Sequence, residues 1–286
     1  MIDLIIPTLS QGLLWSLLAL GVYITFRVLD FADMTVEGSF PLGAAICVYF
    51  LIRDHHPLLA LLAAGLLGGV AGIVTGLLHT KLRIPSLLAG ILSMIALYSV
   101  NLRIMGKANV SLLGKETAFT YMETLGLDYA QSVFIVGLLA TVVIGTLIYW
   151  FFGTEIGAAI PQMIRAQGID TNVMLLLGLF LSNALTAMAG AFIGMNNGFF
   201  DVGMGVGTIV IGLASVIIGE VLFGTRSFKN SLVSVILGSI AYRFVIAIEL
   251  QMGMPPNDLK LFTSVLVVIA LALPMMRDKV QRRKVG

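Results

Sequence analysis

Nine apolar stretches divide this chain, and they restrict its fold more than any other feature. A helix that crosses the hydrocarbon core of a bilayer needs roughly 20 apolar residues, and most of the stretches approach that length. The pattern predicts an all-α polytopic membrane protein with about nine to ten transmembrane helices, including a broken or re-entrant helix. The second and last stretches are short, so either could be tilted, broken or re-entrant. The stretches lie near 5–26, 37–52, 57–79, 85–105, 130–151, 172–194, 205–222, 230–248 and 261–276.

The composition leaves no room for a sizeable soluble domain. Of the 286 residues, 58% are hydrophobic and 11% are charged, and the mean hydropathy is +1.02. Soluble domains carry about 25% charged residues. We therefore interpret residues 1–286 as a single transmembrane domain without a fused ATPase, kinase or reductase. The formal net charge of +2 is too small and too dispersed to indicate a nucleic-acid surface.

The distribution of Lys and Arg predicts the orientation, because cytoplasmic loops near span ends are enriched in these residues. With the C-terminus inside and the N-terminus outside, eleven of the 17 basic residues fall on the cytoplasmic side. If segment 37–52 does not cross the membrane, the side of the N-terminus inverts. The eleven are Arg27, Lys81, Arg83, Arg165, Arg226, Lys229, Arg277, Lys279, Arg282, Arg283 and Lys284.

Two connections are longer than a turn, namely residues 106–129 on the predicted outer face and residues 152–171 on the inner face. Loops of this size in a compact membrane protein usually carry function or a docking surface. In the inner loop, the stretch from Pro161 to Asp170 is predicted to form a short helix along the membrane. Pro is tolerated at the first position of a helix, and Gly168 is typical of its end.

Enzyme signatures are missing from the sequence. It contains neither the HExxH motif of zinc proteases nor the GxSxG elbow of serine hydrolases. His55 and His56 are adjacent at a predicted outer turn, and neighbouring side chains project differently, so we interpret them as interfacial residues. We expect no catalytic residue, no metal site and no directly bound cofactor.

The segment RVLDFADMTVEGSFPLGAA, residues 27–45, places three acids between two apolar runs. Acids at membrane depth are costly and usually face a bundle interior or a water-filled path, which a broken helix would line. The alternative for Asp30 and Asp33 is a polar cytoplasmic loop followed by a helix capped at Thr35. Glu37 lies deeper and is the better candidate for a functional or helix-pairing role.

Polar residues inside the apolar spans have two interpretations. Such side chains face either protein or water. With Glu37 and Ser39 of the broken segment, Ser93 and Asn183 would line a translocation path, or they would form hydrogen bonds between helices. Glu220 and Arg243 also lie within or at the edge of spans, where either could extend to the interface.

Small residues recur at helical spacing in the third stretch. GxxxG pairs at this spacing let two helix backbones approach closely in lipid. The pairs indicate either close packing inside one subunit or an interface between two subunits. They join Gly65 to Gly69, Gly68 to Gly72 and Gly72 to Gly76.

Residues 155–223 carry motifs in an order and spacing that resemble a known family, the permease subunits of bacterial ABC importers of the branched-chain amino acid, ribose and nucleoside type. A cytoplasmic segment of the form R-A-x-G-I-x-x-N leads into a span with a small-residue A-x-A-G element. The front end is similar too, with residues 27–45 like the family's broken second helix and KLRIPSLLAGILSM like its fourth-span start. The likeness covers most of the chain, and residues 242–274 favour the amino-acid subgroup, including transporters of aromatic amino acids. The matching positions are Arg165, Ala166, Gly168, Ile169, Asn172, Ala187, Ala189 and Gly190.

The resemblance implies a multi-pass permease of the bacterial inner (cytoplasmic) membrane, with a cytoplasmic C-terminus and about ten spans; a re-entrant element within 27–52 would reconcile ten with nine. It implies two cytoplasmic ATPase partners that use ATP and Mg, an external solute-binding protein, and either a homodimer or a pair with a second permease. No nucleic acid is expected. A stand-alone secondary transporter that uses Glu37 and Arg243 for ion coupling is the alternative. The implied ATPase-coupling residues are Arg165, Ala166, Gln167, Gly168, Asp170 and Asn172.

Overall fold

The computed structural model describes residues 2–160 and 171–253, together with positions 261, 262, 265 and 268. Ten α-helices and two short strands occur in these residues. The first half contains α1 (Ile2–Tyr23), a π-helical turn (Ile24–Val28), α2 (Val36–Ile52), α3 (Pro57–Thr80), α4 (Ser86–Met105), β1 (Asn109–Ser111) and α5 (Ala118–Glu123). The second half contains α6 (Tyr129–Phe152), α7 (Glu155–Ala159), α8 (Thr171–Asn197), β2 (Phe199–Asp201), a 3₁₀ turn (Val202–Gly205), α9 (Thr208–Phe223) and α10 (Phe228–Gln251).

Seven helical segments of the described residues are long and apolar enough to cross a membrane, and α2 is a shorter apolar helix of 17 residues. The first eight predicted stretches coincide with helices, and an all-α polytopic membrane protein is confirmed. The ninth stretch, 261–276, lies largely outside the described residues. The seven spans are Ile5–Val28, Pro57–Thr80, Ser86–Met105, Tyr129–Phe152, Thr171–Asn197, Val202–Phe223 and Phe228–Gln251.

Helix α8 lies at the centre of the bundle and packs against α1, α2 and α3. The glycines of α3 all face it. A Cβ on Gly68 would collide with Ala187, one on Gly72 with the Leu179 backbone, and those on the other three with α8 side chains. The GxxxG pairs of α3 therefore serve packing inside one subunit, and small residues allow that close approach.

The segments that connect the helices lie on two opposite faces of the bundle. On one, here called the strand face, β1 pairs antiparallel with β2, and Lys115 forms an ion pair of 2.7 Å with Asp54. The strand face thus joins residues 53–56, 106–128 and 198–201. On the opposite face, Arg27 at the end of the π-helical turn pairs with Glu220 near the end of α9. The two longer predicted loops, 106–129 and 152–171, leave the bundle at opposite ends of α6, because α6 connects them.

The chain reverses in the non-helical segment 29–35, between the π-helical turn and α2. The Leu29 N–H donates to Ile24 O, and Asp30 adopts a positive φ of 50°. Residues 29–35 then run back into the bundle, where Phe31 packs edge-on against His79. Helix α2 therefore begins inside the protein rather than at its surface.

Candidate functional site

Asp33 occupies the break before α2 and is fully buried. Its Oδ1 accepts a hydrogen bond of 2.9 Å from the Thr35 N–H, and its Oδ2 accepts one of 2.8 Å from Asn183 Nδ2. The interpretation of Asp33 as a residue of a solvated polar loop is therefore wrong, although it holds for Asp30, which is exposed. Asp30 and Asp33 differ in exposure because the chain turns into the bundle after Asp30. The local polarity of the segment does not reveal this turn.

Asn183 connects this break to α2 itself. Ser39 Oγ donates a hydrogen bond of 2.7 Å to Asn183 Oδ1, and Asn183 Nδ2 also donates to Leu179 O at 3.0 Å. Because Asn183 is near the middle of the 27-residue α8, these polar groups lie at membrane depth. Three different elements, the break, α2 and α8, thus meet at one carboxamide.

A further set of hydrogen bonds joins hydroxyl groups and begins at the side chain of Thr35. Its side chain shares a hydrogen bond of 2.7 Å with the Thr75 hydroxyl, which donates to Ser93 Oγ at 2.7 Å. Thr35 is the N-cap of α2, yet its side chain makes no capping bond. We call the six buried residues the polar seam, and they are Asp33, Thr35, Ser39, Thr75, Ser93 and Asn183.

The structure thus brings three of the four predicted path residues, Ser39, Ser93 and Asn183, into one hydrogen-bonded seam, where none is exposed to water in this conformation. Thr75 is a seam residue that the sequence reasoning missed. A polar position between Gly72 and Gly76 of α3 was the available signal, since the glycines mark the face that meets α8.

Glu37 lies on another side of α2 and is half-buried. Its Oε1 accepts a hydrogen bond of 3.0 Å from the N–H of Gly207, the N-cap of α9. Gly207 has a φ of +85°, a left-handed conformation that favours glycine. The carboxylate therefore lies at the positive end of the α9 dipole, a position that stabilises negative charge.

A groove of about 450 Å³ opens beside Glu37, between α2, α4 and the segment that leads into α9. Asn101 on its wall is fully buried; Nδ2 donates to Gly38 O at 3.1 Å, and Oδ1 has no hydrogen-bond partner. The sequence reasoning passed over Asn101. The other lining residues are Gly38, Pro41, Met94, Ile95, Tyr98, Ser99, Val202, Gly203 and Val206.

Most predicted coupling residues, Arg165, Ala166, Gln167, Gly168 and Asp170, lie outside the described residues. Asn172 is described and stands at the start of α8. It lines an opening of about 380 Å³ with His79, Thr80 and Arg83, on the face opposite to the strands. The structure therefore shows the beginning of α8 next to the α3–α4 turn.

Arg243 lies within the bundle rather than reaching an interface. Its guanidinium carbon is 3.9 Å from the centre of the Trp15 ring, an arrangement typical of cation–π contacts. Its Nε and Nη2 are buried, with no hydrogen-bond acceptor for them in the described part of the chain. Within that same part, no cluster of three or more His, Cys, Asp or Glu side chains could hold a metal ion.

Comparison with known proteins confirms the resemblance seen in the sequence. The family model described as "Branched-chain amino acid transport system / permease component" matches residues 4–272. A tyrosine transport system permease protein of Clostridioides difficile is 40% identical over 274 residues, which cover 94% of this chain and 90% of that protein. An uncharacterised protein of Rickettsia prowazekii is 30% identical over 96% of this chain and 99% of its own length.

A more distant relative is a membrane protein of a high-affinity zinc uptake system of Haemophilus influenzae, which is 24% identical over 68% of this chain and 72% of its own. No solved structure matches the chain. The family match extends over nearly the whole bundle, including the break, the polar seam and the groove. The chain belongs to the family of branched-chain amino acid permeases, and it is a non-enzymatic permease component of an ABC transport system.

Proposed function

We propose that this permease imports tyrosine or another aromatic amino acid. The observation that carries the proposal is the 40% identity with a tyrosine transport system permease over 94% of this chain. This identity extends along nearly the entire length of the chain. The lining of the groove, with Tyr98 and Met94 among mainly apolar residues, is compatible with an aromatic side chain.

The working transporter contains two permease copies, two cytoplasmic ATPase subunits that use ATP and Mg, and an external solute-binding protein. The permease lies in the bacterial cytoplasmic membrane with its C-terminus inside, as the Lys and Arg distribution favours. In this orientation the strand face is outside and meets the solute-binding protein. The opposite face, which carries α7 and the start of α8, meets the ATPases through Arg165, Ala166, Gln167, Gly168, Asp170 and Asn172.

The translocation path passes the groove at Glu37 and continues along the polar seam. In the described conformation, hydrogen bonds between helices close the seam at Ser39, Ser93 and Asn183. Transport then requires these bonds to open while α2 moves relative to α8. Helices α2 and α9, which are short for membrane helices, both begin next to Glu37. Helices that start inside the membrane are typical of transport sites.

Single cysteines test the path. We expect Ser99→Cys, in the open groove, to react with aqueous thiol reagents in every nucleotide state. Ser39→Cys, Ser93→Cys and Asn183→Cys should react only in the state where the seam opens. Protection of all three in every nucleotide state would identify the seam as helix packing alone.

Uptake into liposomes tests the function. Vesicles that hold the permease with its ATPase facing the lumen, and the solute-binding protein outside, should accumulate labelled L-tyrosine only when ATP is enclosed in the lumen. Omission of the ATPase should abolish uptake under any ion gradient. Accumulation driven by an ion gradient without the ATPase would contradict the proposal and support the secondary transporter, for which Glu37 and Arg243 are the candidate charges.

A further inference from the structure

A second groove, with a volume of about 420 Å³, lies between α3 and α6. Both helices are long and apolar enough to cross the membrane, so the groove belongs to the membrane-embedded part of the bundle. The central helix α8 contributes Met188 and Phe192 to its floor. This groove is distinct from the groove at Glu37, because no described residue lines both.

The groove between α3 and α6 is open on its outer side. At its rims, Leu62 of α3 and Val143 of α6 are each 54% exposed. In its floor, Leu61 and Phe192 are each 4% exposed. An unfilled space beside these side chains would lose dispersion contacts, and lipid chains are as apolar as leucine. In a bilayer, the groove is therefore filled by an apolar group.

The length of the groove matches one leaflet of a bilayer. It begins at the strand face beside α5 and follows α6 from Val136 to Leu147, a rise of about 16 Å. Half of the hydrocarbon core is about 15 Å thick. The described residues along this stretch of α6 that line the groove are apolar, and the whole described lining contains no Asp, Glu, Lys or Arg. An extended hydrocarbon chain of one leaflet fits these dimensions.

Two hydrogen-bond donors stand at the strand-face end of the groove. The rings of His56 and Tyr121 meet edge-on with their centroids 5.9 Å apart, and both residues are exposed. His56 Nδ1 accepts a hydrogen bond of 3.2 Å from the Leu58 N–H, so the ring proton of the neutral imidazole lies on Nε2. The Tyr121 hydroxyl is the second donor. Donors at the membrane interface above an apolar groove follow the same order as the headgroup and chain of a phospholipid.

We propose that this groove binds one acyl chain of a glycerophospholipid from the leaflet at the strand face. The His56 Nε2–H and the Tyr121 O–H donate to phosphate or ester oxygens of the lipid, and the chain lies along α6 over the floor formed by α8. An amino acid fits this groove less well, because its ammonium and carboxylate would both need partners within an apolar wall. The inference goes beyond import and does not depend on which solute is carried.

Photolabelling locates the acyl chain. The permease–ATPase complex is reconstituted in vesicles of phosphatidylethanolamine and phosphatidylglycerol, with a trace of phosphatidylglycerol that carries a diazirine midway along one acyl chain. Illumination attaches the chain to the residues that it contacts, and peptide mass spectrometry identifies them. Lipids without a defined position label exposed side chains such as Leu66 and Val142. We expect additional label on Met188 and Phe192 of α8, which a chain reaches by entering the groove.

A larger side chain on α6 should fill the groove. Ala140 lines it, so the ring of Ala140→Phe occupies the space of the acyl chain. We expect the label on Met188 and Phe192 to fall about tenfold or more. Val142→Phe is the matched control and should leave this label unchanged, because Val142 is exposed on the same helix and is not among the residues that line the groove.

The two donors are tested one at a time. Tyr121→Phe removes a hydroxyl and keeps the ring. His56→Asn removes the imidazole donor but keeps an acceptor for the Leu58 N–H, because Asn is a favourable N-cap residue. Each change should lower the label on α8 about fivefold, which corresponds to one neutral hydrogen bond. His55→Asn is the control and should have no effect, since His55 is exposed and does not line the groove.

Co-purification with the ATPase shows that each variant is folded. If Ala140→Phe does not assemble, Tyr121→Phe decides, because it changes the packing least. Absence of label from α8 in the parent protein would overturn the proposal, as would equal label on α8 in Tyr121→Phe and the parent. Displacement of the label by L-tyrosine would assign the groove to the solute instead. Disulfide formation between two copies through Leu139→Cys, at the rim, would assign it to a subunit interface and would likewise overturn the lipid site.

This experiment and the uptake experiment fail independently. Label on α8 without ATP-driven uptake of L-tyrosine would leave the lipid site in place and remove the proposed function. Uptake without label on α8 would remove the lipid site and leave the importer.

Discussion

At the scale of single residues, Asp33 shows how a carboxylate is accommodated at membrane depth by hydrogen bonds. The two ion pairs of the described residues join Arg27 to Glu220 and Lys115 to Asp54, so neither includes Asp33. Both Asp33 oxygens instead accept from N–H donors of neighbouring elements. Desolvation of a polar group is tolerated when each of its atoms has a partner.

Replacement of this carboxylate by a carboxamide should destabilise the protein. In Asp33→Asn, the new NH₂ group faces either the Thr35 N–H or Asn183 Nδ2, both of which are donors, so we expect a loss of about 1–2 kcal/mol in the free energy of unfolding. Asp30→Asn is the control, because Asp30 is exposed and Asn tolerates its positive φ. Thermal unfolding in detergent measures both variants. Equal midpoints for the two would show that the Asp33 hydrogen bonds contribute nothing to stability.

At the scale of the elements, the contact of α3 with α8 decides the shape of the bundle. The two helices approach closely because glycines of α3 offer no side chain at the crossing. The spacing of these glycines predicted close packing but left two partners open, a helix of the same chain or a second copy. The structure identifies the partner as α8 of the same chain. Helix α8 is distant from α3 in the sequence but adjacent to it in space.

An added methyl group at this crossing should force the helices apart. A Cβ on Gly72 would overlap Leu179 O, which is backbone and cannot rotate away, so Gly72→Ala should cost about 1–3 kcal/mol of stability. Gly145→Ala is the matched control on α6, where the nearest atom, Ile236 Cδ1, would be 3.8 Å from the new Cβ. Chemical or thermal unfolding of both variants checks the difference. A Gly72→Ala variant as stable as Gly145→Ala would contradict the packing seen here.

The segment 161–171 is the element on which coupling to the ATPase is predicted to depend. Arg165 would offer a planar, forked donor to a carboxylate or carbonyl of the partner, which lysine or alanine cannot replace. We expect Arg165→Ala to weaken assembly with the ATPase about tenfold or to lower transport per ATP by a similar factor. Gly168→Leu should act in the same direction by extending the helix. Affinity purification of the ATPase and parallel assays of uptake and ATP hydrolysis measure these effects.

Arg226→Ala is the control for this prediction, because Arg226 is an exposed arginine in the short turn between α9 and α10, on the face that carries the start of α8. Loss of coupling in Arg165→Ala but not in Arg226→Ala would support a specific role. Normal uptake and normal assembly in both Arg165→Ala and Gly168→Leu would count against the coupling assignment.

At the scale of the whole molecule, the part of the bundle that the structure describes contains a closed polar seam and an open groove beside the Glu37 carboxylate. A pore that held its solute tightly would release it slowly after the solute-binding protein had delivered it. Weak contacts from Met, Ser and aromatic side chains suit passage better, and Met adapts to different shapes. We therefore propose that the external binding protein, rather than the permease, selects the solute.

Equilibrium binding to the permease–ATPase complex without the solute-binding protein should accordingly be weak. We expect no sub-micromolar affinity for L-tyrosine in isothermal titration or equilibrium dialysis, and tight binding only when the solute-binding protein is added. The binding protein alone is the positive control. Sub-micromolar affinity of the receptor-free complex that is lost in Glu37→Gln would mean that the permease itself selects the solute.

The sequence by itself determined the properties that depend on local composition and on the periodicity of apolar residues along the chain. Eight apolar stretches predicted eight helices with boundaries within a few residues, and the motif order from Arg165 to Gly190 predicted the family. These predictions succeed because a helix in lipid must satisfy its backbone internally and must be apolar along its length, which is a property of consecutive residues. Glu37 was likewise singled out because an acid in an apolar run is visible locally.

Only the tertiary structure decided which polar residues meet. The partners of Asp33 include Asn183, and those of Ser93 include Thr75, and in each case the two residues come from different elements of the fold. The seam and the Glu37 groove are products of helix packing, since the residues that form them are separated by whole spans. Hydrophobic periodicity contains no information about the rotation of one helix against another, because each face of a membrane helix can be apolar whether it meets lipid or protein. For this reason the sequence identified the helices, and packing alone separated Asp33 from Asp30 and assigned the α3 glycines to α8.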